Sequence, residues 1–216
     1  MTAEHACRLC HHTPLQPYAA DRRRAYWYCF ACHLVQVAAV DFLSAEEEKA
    51  QYDTHVNDVN DPRYRAFLSR TATPLLERLK KPGKGLDFGC GPGPLLAKMM
   101  TEAGHSVAVY DAFYHPDQQV LNRTYDFITA TEVAEHLHAV DHWLDRLWDL
   151  LMPGGWLAVQ TRQYVPADEF PNWYYKNDLT HVSFFSPATF AWLADRWSAH
   201  LEVISDEVVL LQKPLS

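Results

Sequence analysis

Residues 85–111 carry the pattern that most limits the fold. Residues 85–88 (GLDF) form a short buried-strand pattern, followed by Gly89-Cys90-Gly91-Pro92-Gly93 and an apolar helical stretch, residues 94–103 (PLLAKMMTEA), with proline in its first turn. Glycines let a backbone approach a ligand where any Cβ would collide. Residues 106–110 (SVAVY) form a second strand ending at Asp111, twenty residues after Gly91, where a carboxylate can accept both hydroxyl protons of a ribose. Strand, glycine turn, helix, strand and acid open a nucleotide-binding α/β unit. A dinucleotide pattern G-x-G-x-x-G is not met, because Pro94 stands where the third glycine belongs, and this weakens a dehydrogenase reading.

The second constraint is cysteine spacing. Cys7-x2-Cys10 and Cys29-x2-Cys32 form two knuckles, and a fifth cysteine, Cys90, lies in the glycine loop. Two intervening residues let both sulfurs of a tight turn face one ion, and two such turns supply four tetrahedral corners at about 2.3 Å. The spacing predicts a small β zinc ribbon over residues 1–42, with a hairpin from residues 24–30 (RAYWYCF) and 34–40 (LVQVAAV). The competing reading is four cysteines buried as small hydrophobes. A closed four-ligand site has no open position, so the zinc is expected to be structural. His11, His12 and His33 are read as surface residues.

Arg22, Arg23 and Arg24 beside Tyr26, Trp27 and Tyr28 combine charge and aromatic surface as nucleic-acid patches do. In residues 1–35 the arginines, with Arg8, outweigh Glu4 and Asp21 by two charges, and four thiolates around one Zn2+ cancel that excess. The ribbon is then neutral, and a solvated arginine turn is the plainer reading. The whole chain, 216 residues with a net charge of -8, is not a globally basic nucleic-acid binder. No apolar run approaches the roughly 18 residues of a membrane span, and MTAEHACRLC has no signal-peptide core. A cytoplasmic protein is expected, where reduced thiols favour metal over disulfides.

Residues 43–82 read as a helical connector leading into the first core helix. Ser44, three residues before Glu47, makes a capping box, residues 57–62 a turn, and Phe67, Leu68, Leu75, Leu76 and Leu79 a helix ended by Pro82-Gly83. Residues 83–216 form the main domain.

Three ordered stretches, residues 86–94 (LDFGCGPGP), 126–137 (DFITATEVAEHL) and 151–160 (LMPGGWLAVQ), resemble the class I S-adenosylmethionine-dependent methyltransferases of the ubiquinone-biosynthesis methylase-like superfamily. The resemblance covers residues 83–213. It implies an α/β fold with a Rossmann-like sheet and helices on both faces. It also implies that Asp87, Gly89, Cys90 and Gly91 line the methionine part of S-adenosyl-L-methionine, with the Cys90 thiol a small filler. Asp111 would hold the ribose, and Thr131 and Glu132 would border the sulfonium. One departure stands out: residues 112–124 are short and contain Pro116, so the family's third strand and adenine-contacting residue are not legible.

Residues 161–186 (TRQYVPADEFPNWYYKNDLTHVSFFS) exceed an ordinary connection and read as a lid or binding loop, with Trp173, Tyr174 and Tyr175 as apolar substrate walls. Residues 181–186 (HVSFFS) resemble a segment of zinc-containing sugar C-methyltransferases, which also carry a four-cysteine N-terminal module but are longer, with a C-terminal domain this sequence lacks. That resemblance implies a base role for His181 without naming a sugar. Histidine suits proton transfer near neutrality, and Glu135 and His136, after the fourth strand, are further catalytic candidates. The plainer readings are a helix cap for His181 and an exposed helix start for the other two. The expected function is methyl transfer to a small-molecule O, N or C acceptor. The alternatives are an RNA methyltransferase gripping substrate with its ribbon, and a non-catalytic docking protein on a methyltransferase-like scaffold.

Overall fold

The computed structural model describes residues 6–54, 57–164 and 166–215. Glu4, counted above in the ribbon charge, lies outside them. The chain begins with three antiparallel strands, β1 (Gln16–Ala20), β2 (Ala25–Tyr28) and β3 (Val35–Val37). Helix α1 (Ala45–Tyr52) follows, started by the capping box: Ser44 Oγ accepts from the Glu47 amide and the Glu47 carboxylate accepts from the Ser44 amide at 2.8 Å. Helix α2 (Pro62–Arg78) begins behind an Asp61 cap with proline in its first turn.

The main domain then runs β4 (Lys84–Phe88), α3 (Leu95–Glu102), β5 (Ser106–Tyr110), β6 (Tyr125–Thr131), α4 (Val140–Leu150), β7 (Leu151–Gln160), β8 (Ser183–Phe184), α5 (Pro187–Trp197), β9 (His200–Val203) and β10 (Val208–Gln212). Its six-stranded sheet has the order β5-β4-β6-β7-β10-β9, parallel from β5 to β7 and antiparallel at β10 and β9. Period-two alternation explains its two covered faces. Phe127, Trp156, Ala158 and Leu210 pack under α2 and α3, while Ile128, Ala130, Leu157, Val159, Val209 and Leu211 face the side of α4 and α5.

No strand forms between Asp111 and Tyr125. Asp111 Oδ1 accepts the amides of Phe113 (2.9 Å) and Tyr114 (3.0 Å), which folds the chain into a tight turn, and a 3-10 helix over Gln118–Asn122 follows. Strand β5 is therefore the sheet edge. The turn residues Pro153, Gly154 and Gly155 sit inside β7, where a register shift against β6 between Tyr125 and Phe127 accommodates them.

The N-terminal sheet is not closed within its own segment. Strand β3 pairs with β8, Val35 opposite Phe184 and Gln36 opposite Ser183, so its fourth strand comes from the long insertion. Cys7, Leu9, Leu15, Cys29, Cys32 and Leu34 belong to one continuous apolar cluster with Phe185, Phe190 and the upper face of the main sheet. No helix among the described residues is long and apolar enough to cross a membrane.

Candidate active site

A cavity of about 620 Å3 opens beyond the carboxyl ends of β4, β5 and β6, where ligands of open α/β sheets bind. Its floor is Gly89–Pro92, Asp111–Tyr114 and Thr131–Val133, and the connector covers it with Glu48, Tyr52, Asn57, Tyr64 and Phe67. Asp178, His136 and His181 complete the wall. A side chain is forbidden at two loop positions. Gly89 has φ +71° and its Cβ would meet Val133 Cγ2 at 2.2 Å, while a Cβ on Gly93 would meet the Asn57 carbonyl oxygen at 2.3 Å. The connector thus lies directly on the glycine loop.

On this side Asp111 is held rigidly. Its Oδ2 accepts the Gly91 amide at 3.1 Å, which ties the end of β5 to the loop after β4. The Thr131 hydroxyl is buried with no hydrogen-bond partner among the described residues and lies on the cavity wall, as a position awaiting a polar ligand does. Glu132 takes the left-handed backbone conformation, φ +54°, which costs a non-glycine residue of order 1 kcal/mol and is concentrated at functional sites. Asp87 does not reach the wall. It is buried beneath the loop, accepting from the Thr129 hydroxyl (2.8 Å) and the Ala97 amide (3.3 Å), and burial pushes its carboxyl up to about 6. Cys90 borders the cavity, buried, with its thiol pushed up by the same desolvation.

The opposite side brings together Glu132, Glu135, His136 and His181. Residues Ala134–His136 form a 3-10 turn after β6, and His181 sits just before β8. Glu135 is fully buried; its Oε1 lies 2.5 Å from the Tyr175 hydroxyl, whereas its Oε2 has no hydrogen-bond partner among the described residues. The same hydroxyl lies 3.2 Å from Glu132 Oε2. Desolvation and the neighbouring Glu135 charge push Glu132 up to about 8. His181 Nδ1 donates to the Tyr175 carbonyl at 2.7 Å and His136 Nδ1 to the Thr180 carbonyl at 3.2 Å. A carbonyl only accepts, so in each neutral ring the lone pair is on Nε2. Burial, and His136 beside it, lower His181 to about 4, which leaves it a neutral imidazole near pH 7.

The aromatic residues of the insertion do not wall the cavity. Trp173 packs with Phe170, Phe184 and Tyr26 in the core of the N-terminal sheet, Tyr174 is 62% exposed, and Tyr175 is buried holding the two glutamates. Apolar area is gained by covering the four-stranded sheet, and that outcompetes exposure to an open cleft.

Two arginines assemble this side, and neither role was visible in the sequence. Arg8, inside the first knuckle, donates Nη1 to the carbonyls of His138 (3.0 Å) and Leu137 (3.3 Å) and Nη2 to the Val182 carbonyl and to Ser183 Oγ (3.2 Å). It joins the segments carrying His136 and His181. Arg24 is 5% exposed and donates to the carbonyls of Lys176 (2.7 Å), Asp178 (2.9 Å) and Leu179 (3.0 Å). The arginine run therefore anchors the insertion through Arg24 instead of presenting a free basic patch. Their partners lie more than a hundred residues away, so spacing carries no sign of them.

The four cysteines meet in a separate cluster with all sulfurs within 4.8 Å, Cys7 and Cys32 at 3.4 Å and Cys10 and Cys29 at 3.4 Å, and none is in a disulfide. The knuckles are copies of one turn. The first cysteine's amide donates to the carbonyl five residues on, and the residue after the second cysteine, His11 or His33, has φ 60°. His33 is half-buried, with Nδ1 2.5 Å from the Tyr28 hydroxyl, while His11 and His12 are exposed. Four thiol sulfurs within 4.8 Å of one another are a donor set that fits zinc.

No curated protein sequence matches the chain. Among solved structures, it is similar to the 1,6-didemethyltoxoflavin-N1-methyltransferase of Burkholderia thailandensis, determined with 1,6-didemethyltoxoflavin and S-adenosylhomocysteine. The identity is 18% and the TM-score 0.51, over 92% of this chain and 99% of that one. An O-methyltransferase family protein from Burkholderia thailandensis is 14% identical with a TM-score of 0.50, over 78% of this chain and 63% of its own. These likenesses agree on the fold. A family described as "Methyltransferase domain" matches residues 52–205, from the end of α1 to the turn before β10, and so takes in the whole cavity floor. The chain belongs to this methyltransferase-domain family.

Proposed function

We propose that the protein transfers a methyl group from S-adenosyl-L-methionine to a small-molecule acceptor. The observation carrying this reading is that one cavity joins the glycine loop and Asp111 to Glu132, His136 and His181, with Glu135 behind them. The loop Gly89–Gly91 and Asp111 would hold the amino-acid and ribose parts of the donor, and Thr131 and Glu132 would border its sulfur. Asp87 would act indirectly, by fixing the loop's base. When bound, the donor supplies a methyl group that passes to the acceptor's nucleophilic atom while the C–S electron pair stays on sulfur and the acceptor's proton leaves. The chain contributes alignment, which is worth roughly 7–11 kcal/mol in a well-oriented reaction, and exclusion of water by the connector. The acceptor would face the His136 and His181 side, where the two imidazole Nε2 atoms are the polar groups that meet it.

The wall bears Glu48, Asp111, Glu132 and Asp178, and no lysine or arginine among the described residues. That favours a neutral or cationic acceptor over a phosphorylated one, and argues against RNA. Cys7, Cys10, Cys29 and Cys32 would bind one zinc ion with a folding role. Calorimetric titration with S-adenosylhomocysteine tests the donor site. We expect binding by the wild type and a loss of about 10- to 100-fold in Asp111→Ala, the range of one or two charge-assisted hydrogen bonds. Absence of binding by the wild type removes the reading.

A further inference from the structure

Glu135, His136 and His181 each present a ligand atom, and these atoms lie within 4.8 Å of one another at the acceptor end of the cavity. From this geometry we infer that the three side chains form a second metal site, distinct from the cysteine cluster, for a borderline divalent first-row cation such as Zn2+, Mn2+, Fe2+ or Ni2+. The inference deepens the proposed function, since it rests on that end of the cavity being the acceptor side.

Three observations support it independently of spacing. The two imidazoles are oriented as metal ligands are, each Nδ1–H given to a backbone carbonyl so that Nε2 faces a carboxylate without a hydrogen bond, His136 Nε2 3.9 Å from Glu135 Oε1 and His181 Nε2 3.9 Å from Asp178 Oδ2. The rings stand edge to face with centroids 4.7 Å apart. Glu135 is 0% exposed; its Oε1 lies 3.9 Å from His136 Nε2, and its Oε2 has no hydrogen-bond partner among the described residues, an arrangement that costs a buried carboxylate dearly unless a cation or donor meets it. Tyr175 holds the other oxygen and fixes the carboxylate's orientation.

Bonds of about 2.0–2.2 Å place donors about 3.4 Å apart around a tetrahedral ion, so the ligands close by roughly 1 Å on loading, within reach of small side-chain rotations. His136 and His181 border the cavity and Glu135 does not, so the carboxylate sits behind and the open positions face the cavity. Two imidazoles and one carboxylate suit first-row ions better than Mg2+ or Ca2+, which prefer all-oxygen sites. Open positions on such an ion take an acceptor with one or two adjacent oxygen donors, and coordination lowers the pKa of a bound hydroxyl.

The test is metal stoichiometry with Co2+ and Zn2+ on the full chain, by elemental analysis and by Co2+ spectroscopy, in which thiolate-to-metal charge transfer marks the cysteine site alone. Two ions per chain are expected in the wild type. In Glu135→Gln, which keeps the side-chain shape, and in the double variant His136→Ala, His181→Ala, the second ion should bind at least 10-fold more weakly while the thiolate band persists. One ion per chain in the wild type, or a second ion retained by both variants, overturns the inference. S-adenosylhomocysteine titration of the same samples separates the outcomes. Binding without a second ion removes only the cation site, whereas a second ion without binding removes the methyl-donor reading.

Discussion

The two ends of the cavity are built in different ways. The donor end is local: one strand, one loop, one helix and one neighbouring strand, residues 84–111, supply the glycines and Asp111, with the end of β6 alongside. The acceptor end is assembled from distant parts. The first cysteine knuckle brings Arg8, the turn after β6 brings Glu135 and His136, and the insertion brings Tyr175 and His181. In the proposed function the difference would divide roles: a donor common to many enzymes would be met by a compact module, and the acceptor by an arrangement that depends on the ribbon.

If this division is real, damage to the ribbon should spare the donor end. Replacing Cys7 and Cys32 with serine is expected to have the largest effect, several kcal/mol in stability and a fall in Tm of about 10 °C or more. S-adenosylhomocysteine binding by the remaining folded fraction should stay within a few-fold of wild type. Equal loss of binding, measured by calorimetry below the Tm, would break the comparison. Arg8→Met is the next largest. It keeps the stem but removes the guanidinium from the carbonyls of Leu137, His138 and Val182 and from Ser183 Oγ; Val182 keeps the Val37 amide and Leu137 the Ser183 hydroxyl, so the loss is about 1–3 kcal/mol. Histidine NMR signals of His136 and His181 should shift while donor binding changes less than twofold.

How legible each end was follows from the same contrast. The glycine turn, Asp111 and the strands around them are set by spacing within about thirty residues, so the sequence pattern suffices. Ser44 and Glu47 were equally readable, because a capping box is a four-residue device. The Arg8 contacts, the pairing of Val35 with Phe184 and the burial of Trp173 under the N-terminal sheet depend on where the chain returns in space. Aromatic residues in a long loop signal burial, but not which surface buries them. Asp87 illustrates a smaller gap: the pattern locates it correctly beside the glycine loop, but its direction, under the loop toward Thr129, is decided by the pleat.

Asp87 also sharpens the donor side through pH. Its carboxyl is raised to about 6 from the ordinary 3.8, so the folded chain binds this proton more tightly than the unfolded chain does. Its contribution to stability is complete below about pH 3.8 and is lost as pH rises through about 6, a difference of about 3 kcal/mol. Asp87→Asn should remove this slope. The stability difference between variant and wild type, from urea unfolding at pH 4, 5, 6 and 7, should move in the variant's favour as pH rises. A difference independent of pH would reject the assignment. The smallest effect is expected at Tyr174, which is exposed in spite of its aromatic neighbours. Tyr174→Ala should change stability by less than about 0.5 kcal/mol in the same assay and leave donor binding unchanged.

The pairing of β3 with β8 also has a consequence for biosynthesis. During translation the cysteine knuckles leave the ribosome early, yet β3 has no outer partner until Ser183 and Phe184 have been made. Through that interval the growing chain carries an open strand edge of buried-type residues, Val35 and Val37, the kind of edge that recruits foreign strands. The donor module lies wholly between the two halves of this pairing, and its core also takes in Leu210 of β10, made later still. A nascent chain stalled before residue 183 would therefore expose this edge, a surface that invites aggregation or chaperone capture.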